Sequence, residues 1–403
     1  MFTNVNYQLF TFVSQQSHMT IAHLQNDYQY YYEPSLFGRY INADHLKNLL
    51  EKHSEFFEVA VIGKSVLNED IHFIKIGTGE KRILMWSQMH GNESTTTKAL
   101  FDLLNVLSDH SNETVNNLLA AVTIGIIPML NPDGSRAYTR QNANEVDLNR
   151  DAQDLTQPES RVLRRCFDSF KPNFCFNLHD QRTIFSAGST SIPATVSFLS
   201  PAQDEACSIT ETRKKAMDII VKMNEVLQKH IPAQVGTYDD AFNINCVGDA
   251  FQTLNVPTIL FEAGHYCNDY NREKVRALIF QSLWTAVMEI AFEDLKGIQA
   301  EAYFKIPQNE KLFYDIIIRN AKLKIDDSCQ LLDVAIQYEE TLDQDLVVFI
   351  PKIVKFSDLS HFFGHKEIDA KEREVFVGDH QHLKEGSAID FVTINFQKHH
   401  LNV

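Results

Sequence analysis

The stretch AVTIGIIPML, beginning at Ala121, is almost wholly apolar. A strand with one wet face alternates apolar and polar side chains, because successive side chains point to opposite faces of the sheet. This run does not alternate, so it predicts an interior strand covered on both sides, and covering both sides takes helices. The neighbouring segments supply them. Ala43 to His53 has helical spacing with Leu46, Leu49 and Leu50 inward, and FFEVAVIG, ending at Gly63, reads as a strand. A second strand, IHFIKIG, follows the polar turn SVLNED, and Ile83 to Trp86 reads as a third that delivers His90. The helical pattern TTTKALFDLLNVL comes next, then a strand NFCFNLH ending at His179 and a helix from Thr210. PTILFE is a short run ending at Glu262, followed by the helical NREKVRALIFQSLWTAVMEIAF. Strands alternating with helices of these lengths predict an α/β fold, a mixed central β-sheet flanked by helices on both faces.

The pattern changes after about Lys296. KLFYDIIIRN, LLDVAIQY, DLVVFIP and SAIDFVTINF are strand candidates with only short helical patterns between them. They predict a smaller, mainly β C-terminal domain over residues 308–403, after an N-terminal extension over 1–40 and an α/β domain over 41–300. Packing is the simplest role for the last domain; restricting access or binding a partner is the alternative.

Lys and Arg total 37 against 53 Asp and Glu, a formal charge of -16. Such a surface repels phosphate backbones, and no basic run offsets it, so no nucleic-acid partner is expected. The six cysteines lack close pairing in a chain of 403 residues, which argues against a disulfide framework and for mostly buried thiols. The first residues, MFTNVNYQLFTFVSQQSHMT, have no basic start followed by an apolar stretch, so they do not read as a signal peptide. No uninterrupted apolar segment has bilayer-crossing length. The expectation is a cytoplasmic protein with no membrane partner.

His90 and Glu93 stand three apart in HGNE, and His179 ends a later strand. In an α/β sheet the carboxyl ends of the strands share one functional edge, so the three can converge. Two imidazoles and one carboxylate suit zinc, one per chain, with a fourth position left for water. Taken alone, HGNE reads more readily as a satisfied turn histidine followed by an acid near a helix N-terminus; the features around it reverse that. Glu262 ends another strand at the same edge, where it can act as a general base or be a structural glutamate paired with Arg272. Asn131 to Gly134 spell NPDG, which has strong turn chemistry. Arg136, Arg140 and Arg150 follow; they can fork onto a carboxylate, with Asn149 as an added donor, or pair with Asp133, Asp147 and Asp151.

In this order the motifs resemble the zinc carboxypeptidase family of the funnelin type, over roughly residues 40 to 295. The resemblance implies that His90, Glu93 and His179 hold zinc, that Glu262 activates water and that Arg140 stabilises the oxyanion. It implies that Asn149 and Arg150 bind the free carboxylate of a peptide or peptide-like substrate and that Tyr238 covers it; Tyr238 is equally an amphipathic loop anchor. The implied activity is that of a metallocarboxypeptidase hydrolysing a C-terminal peptide bond. The chain departs from many digestive relatives, which carry arginine where Gly91-Asn92 stands here, and Asp180-Gln181-Arg182 replaces their small-residue pattern after the distant histidine. The expected cytoplasmic location and the lack of a recognisable inhibitory leader suggest a place nearer to bacterial members that process murein peptides than to digestive enzymes. The alternatives are a zinc amidohydrolase acting on murein peptides or N-acyl amino acids, and a non-catalytic peptide-binding protein.

Overall fold

A computed structural model describes residues 28–325, 328–377 and 381–403. Of the expected N-terminal extension, residues 1–27 lie outside the described residues. The first half carries α1 (Ala43–His53), β1 (Glu58–Lys64), β2 (Asp70–Ile76), β3 (Lys81–Trp86), α2 (Thr95–Leu107), α3 (Glu113–Ala121) and β4 (Val122–Ile127). After these come α4 (Pro132–Ala137), α5 (Pro158–Phe170), β5 (Phe174–Asp180), β6 (Ser186–Ala187), β7 (Val196–Leu199) and α6 (Glu211–Leu227). The α/β part ends with β8 (Val235–Thr237), α7 (Val247–Thr253), β9 (Thr258–Ala263) and α8 (Glu273–Phe292).

Eight strands form one mixed sheet in the order β1-β2-β4-β3-β5-β9-β7-β8. All six residues of β4 are buried, as the apolar run predicts, and β4 lies inside the sheet between β2 and β3. Each fully buried branched or aromatic side chain contributes roughly 1.5–3 kcal/mol relative to exposure, so strands like β4 are stable only with both faces covered. Helices α2 and α8 supply much of the core on one face, while Trp86, Phe167 and Phe251 pack on the other. By length and composition α8 could cross a membrane, but 78% of its most apolar window is buried inside this fold.

Capping follows the local sequence. Asn42 accepts from the Asp44 amide at the start of α1, and Thr210 accepts from the Arg213 amide at the start of α6. NPDG forms a one-turn helix, where the sequence predicts a turn. The Asn131 side chain accepts from the Gly134 amide at 2.9 Å and Pro132 takes the first helical position, two features that start a helix rather than reverse the chain.

Residues 28–40 are fastened by a buried ion cluster. Arg276 on α8 forks onto Asp102 on α2, with Nη2 2.5 Å from Oδ1 and Nε 2.7 Å from Oδ2, and neither side chain has any exposure. Arg276 also donates to the carbonyls of Glu33 and Leu36, while Asp102 accepts from the Tyr28 hydroxyl and the Glu33 amide. Every polar direction of the pair is used, which is the condition under which a buried ion pair is tolerated.

Beyond the α/β sheet, Tyr303 and Ile306 still pack in the first core. The short strand β10 (Asn309–Glu310) pairs with β6. A four-stranded sheet, β13-β12-β11-β14, follows, built from β11 (Phe313–Ile325), β12 (Ser328–Asp343), β13 (Leu346–Ser357) and β14 (Phe363–Asp369). A second sheet, β16-β15-β17-β18, is formed by β15 (Val375–Val377), β16 (Gln381–His382), β17 (Phe391–Ile394) and β18 (Gln397–His400). The two sheets share a core that includes Ile316, Ile336, Val375 and Val392. The last third of the chain is therefore mainly β, as expected. The cysteines depart from expectation: all six thiols are free, but only Cys166 and Cys175 are buried, and Cys267 and Cys329 are exposed.

The ion cluster generates a stability prediction. Asp102→Ala removes the two-point partner of the buried Arg276 guanidinium and leaves Glu273, 3.1 Å from Nη1, as its remaining acid, and the expected loss is about 3–5 kcal/mol. Denaturant unfolding of wild type and variant measures it, and a loss below about 1 kcal/mol would show that this pair does not hold the segment in place.

Candidate active site

The carboxyl ends of β3, β5 and β9 are adjacent and parallel. His90 lies four residues beyond β3, in the loop that leads to Glu93 and α2. That loop lies against α4: an added Cβ at Gly91 would fall 1.9 Å from the Gly134 carbonyl carbon, so only glycine allows the approach. His179 sits within β5, directly across from Glu262 on β9 in the parallel register.

The three expected ligands converge. His90 Nδ1 lies 2.8 Å from Glu93 Oε1, His179 Nδ1 lies 2.8 Å from Glu93 Oε2, and the two Nδ1 atoms are 3.1 Å apart. One ligand atom from each residue falls within 4.8 Å of the others, and all three residues are buried. Two imidazole nitrogens and a carboxylate facing one point are a donor set that suits a single zinc ion. Burial alone would push the Glu93 carboxyl up, but the two adjacent imidazoles outweigh it and hold the group well below the usual carboxylate range.

Asp147 orients this cluster, a role the sequence reading missed by treating it only as an arginine partner. Its Oδ1 lies 3.0 Å from His90 Nε2, and the same oxygen accepts from the Asn149 amide at 2.9 Å. Its Oδ2 accepts from Arg140 Nε at 3.1 Å. One carboxylate thus fixes the ring of a metal ligand, caps the 3-10 turn Leu148–Arg150 and holds Arg140. The available signal was its position immediately before LNR, since Asp is a strong capping residue.

Arg140 Nη1 also reaches Glu93 Oε1 at 3.2 Å, and its side chain is 47% exposed, so it stands at the mouth of the cluster. The other arginines are placed differently. Arg136 pairs with Asp44 and Glu69, away from the ligands. Asp133 is taken by Ser65 and the Leu67 amide, and Asp151 by Thr156 and the Gln157 amide, so of the three suggested acids only Asp147 meets an arginine. Arg150 is exposed, donates to the Asn149 carbonyl at 2.7 Å and makes no ion pair among the described residues. The Asn149 side-chain oxygen accepts from the Val247 amide at 3.0 Å, which ties the turn to α7 and leaves Nδ2 as its remaining donor.

Glu262 does not meet Arg272. That guanidinium donates to the carbonyls of Ala263 and Gln181 and lies 3.5 Å from Asp180, while Glu262 Oε2 is buried with no hydrogen-bond partner among the described residues. Burial first, and then the charges of Glu93 and Asp180, push the Glu262 carboxyl well above its ordinary range. Asp180 accepts from Thr95 and donates its own amide to Glu93 Oε2 at 3.2 Å. Arg182 is exposed and does not pair with Asp180. Tyr238 follows β8, packs edge-on against Phe185 at 5.3 Å and lies within the electrostatic reach of Glu262 and Glu93.

A triad of metal donors at the carboxyl edge of a mixed sheet, with a half-buried carboxylate beside it and a guanidinium at its mouth, is an arrangement that suits one zinc ion with room for water. The zinc carboxypeptidase family model matches residues 43–210 of the chain. The region is 29% identical over 110 residues to carboxypeptidase 2 of Trichophyton rubrum, covering 27% of this chain and 20% of that protein. It is 36% identical over 86 residues to gamma-D-glutamyl-L-diamino acid endopeptidase 1 of Lysinibacillus sphaericus, covering 20% of this chain and 22% of that protein. The chain thus spans about a fifth of the length of these relatives. The fold is that of a metallo-carboxypeptidase from Burkholderia cenocepacia, with a TM-score of 0.51 at 20% identity over 62% of this chain and 69% of that one. The similar proteins include both bacterial and insect carboxypeptidases.

The triad predicts about one zinc per chain, lost in His179→Ala. Asp147→Asn should leave the fold intact and weaken zinc retention by about 10- to 100-fold, because it loosens the ring of His90. Competition against a metal-sensitive chelator measures both, and wild-type retention in Asp147→Asn would remove that residue from the metal's support.

Proposed function

We propose that the protein is a metallocarboxypeptidase that removes the last residue of a peptide bearing a free carboxylate. The observation that carries this reading is the parallel register of His179 with Glu262, which puts a half-buried carboxylate beside the metal triad, its Oε2 buried and without a hydrogen-bond partner among the described residues. When bound, zinc supplies a Lewis acid that polarises a carbonyl and makes water more acidic. Glu262 takes the proton of the attacking water and returns it to the departing nitrogen. Its raised proton affinity suits a group that must accept and then release a proton. Arg140 donates to the developing oxyanion, for which its place at the mouth of the triad is apt. Arg150, free of acids, and the Nδ2 of Asn149 bind the substrate's terminal carboxylate. Tyr238 lies against the substrate beside Glu262.

A second reading is an amidohydrolase acting on murein peptides or N-acyl amino acids, nearer to the bacterial members of the family; the likeness to the Lysinibacillus endopeptidase, named for a gamma-D-glutamyl-L-diamino acid bond, favours a substrate other than an ordinary peptide. A panel of free peptides, N-acyl amino acids and murein fragments separates the two. We further propose a reducing compartment such as the cytoplasm, on the ground that two of the free thiols are exposed.

Glu262→Gln keeps shape and loses the proton acceptor, so turnover should fall by about 10²- to 10⁴-fold with zinc retained. Near-wild-type turnover on a validated substrate would take Glu262 out of that role. Arg150→Ala should impair a free-acid peptide strongly and its terminal amide little further, whereas Arg140→Ala should impair both, because both substrates develop an oxyanion. These are read as kcat/KM for each enzyme with each substrate. Equal penalties from Arg150→Ala would remove the carboxylate clamp and favour the amidohydrolase.

A further inference from the structure

Through β12 the C-terminal sheet reaches back onto both flanks of the catalytic edge. On one flank, Gln337 Nε2 donates at 2.8 Å to the hydroxyl of Thr183, four residues past the ligand His179. His365 Nε2 on β14 donates to the Thr183 carbonyl at 2.7 Å, and the Tyr338 ring packs edge-on against Tyr270 at 5.1 Å. On the other flank, Glu340 meets the loop that carries Arg140. The Tyr138 hydroxyl donates to Glu340 Oε2 at 2.5 Å. Arg39 Nη1 donates to Glu340 Oε1 at 3.1 Å, and Arg39 Nη2 lies 3.1 Å from Oε2.

Glu340 meets this loop where its backbone is least ordinary. Tyr138 closes α4 in a left-handed conformation (φ 55°, ψ 43°), which a tyrosine keeps only where its surroundings hold it. Its ring is buried and packs edge-on against Tyr40, whose own hydroxyl donates to the Arg136 carbonyl at 2.9 Å. The Asn92 amide, inside HGNE, donates to the Thr139 carbonyl at 3.2 Å, which ties the loop to the metal ligands. Arg140 comes next, and its half-exposed side chain is not placed by packing. The guanidinium therefore sits where the backbone of Tyr138 and Thr139, together with Asp147 and Glu93, puts it. Among these restraints the phenol's bond is to a charged acceptor, and hydroxyl-to-carboxylate bonds are among the stronger ones in proteins. Glu340 is itself well anchored. Arg39 is buried, and its carbonyl accepts from Ser94 Oγ at 2.6 Å, immediately before α2.

We propose that Glu340 is a positioning residue for hydrolysis: from the C-terminal sheet it holds the Tyr138 phenol, and through it the loop that presents Arg140 to the developing oxyanion. The kinetic consequence rests on the metallocarboxypeptidase reading; the control of the Arg140 guanidinium does not. The C-terminal third of the chain is then part of the active-site architecture and not merely packed beside it.

Two measurements on the full-length, zinc-loaded protein separate these points. In protein carrying ¹⁵N-labelled arginine, the Nε signal lost in Arg140→Lys identifies Arg140. Glu340→Gln should shift that signal, and so should Tyr138→Phe, which removes one hydroxyl, keeps the buried ring and leaves Glu340 with Arg39. The Arg319 signal is the reference, since Arg319 pairs with Asp333 and Glu367 inside the C-terminal sheet. An unmoved Arg140 signal in Tyr138→Phe overturns the proposal whether or not a substrate is known, and so does a shift of Arg319 as large as that of Arg140. In the kinetic arm, each variant should lower kcat by about threefold to tenfold on a peptide that the wild type cleaves, the scale of one net hydrogen bond. KM and zinc content should change little, because the guanidinium they position acts in the transition state. The loss should vanish in an Arg140→Ala background, since all three residues act through one group. Additive losses, or a loss confined to KM, would show that Glu340 does not act through Arg140. A wild type that cleaves no peptide would fail the functional reading while leaving the spectroscopic test standing.

Discussion

The register between β5 and β9 is the constraint on which the site depends. Parallel pairing puts His179 level with Glu262, and a slip of one residue would turn one of them away, since side chains alternate between faces. Register here is set by burial. Phe176, Leu178, Ile259 and Phe261 are almost completely buried, so a slip would also carry aromatic and branched side chains out of the core. The same hydrophobic free energy that folds the sheet therefore fixes the geometry of the polar edge. The polar groups at that edge are costly to bury, and the structure meets the cost by coupling them: Glu93 to two imidazoles, His90 to Asp147, and Asp180 to Thr95 and Arg272.

Around this centre, distant parts of the chain are held by the same means. Arg276 and Asp102 fasten residues 28–40 to two core helices. Arg39, at the end of that segment, pairs with Glu340 on β12, and Glu340 also accepts from the Tyr138 hydroxyl. Tyr138 closes α4 in a left-handed conformation two residues before Arg140. A polar path thus runs from the N-terminal segment through the C-terminal sheet to the loop that carries the guanidinium at the mouth of the triad. Burial alone would push the Glu340 carboxyl up; Arg39 and Arg272 hold it below its ordinary range, so it carries charge at neutral pH.

Much of the α/β fold was legible because its signals are local. The periodicity of α1, α2, α6 and α8 and the unbroken apolar run of β4 depend on neighbours in sequence, and they mark elements within a few residues of those observed. The NPDG segment shows the limit of that reading: the same residues favour a turn or a helix start, and the close approach of Gly91 is part of what keeps the helical form. The exposed cysteines show another limit, because the burial of a thiol depends on what packs over it.

By itself the sequence determined the chemistry of the site: two imidazoles and a carboxylate in HGNE and NLH, a carboxylate ending PTILFE, and arginines flanking DLN. Those identities and spacings are written along the chain, and the donor set they provide suits zinc wherever the chain folds so as to bring them together. Only the tertiary structure decided which acid meets which base. Asp147 orients His90 instead of merely neutralising an arginine, Arg272 binds carbonyls and leaves Glu262 Oε2 without a partner among the described residues, and Asn309 reaches Gln181 and Ser197 from more than 100 residues away. Composition cannot specify such partnerships, because a carboxylate or an amide is satisfied equally well by many donors. Strand order and register, fixed by the packing of apolar side chains, select among them.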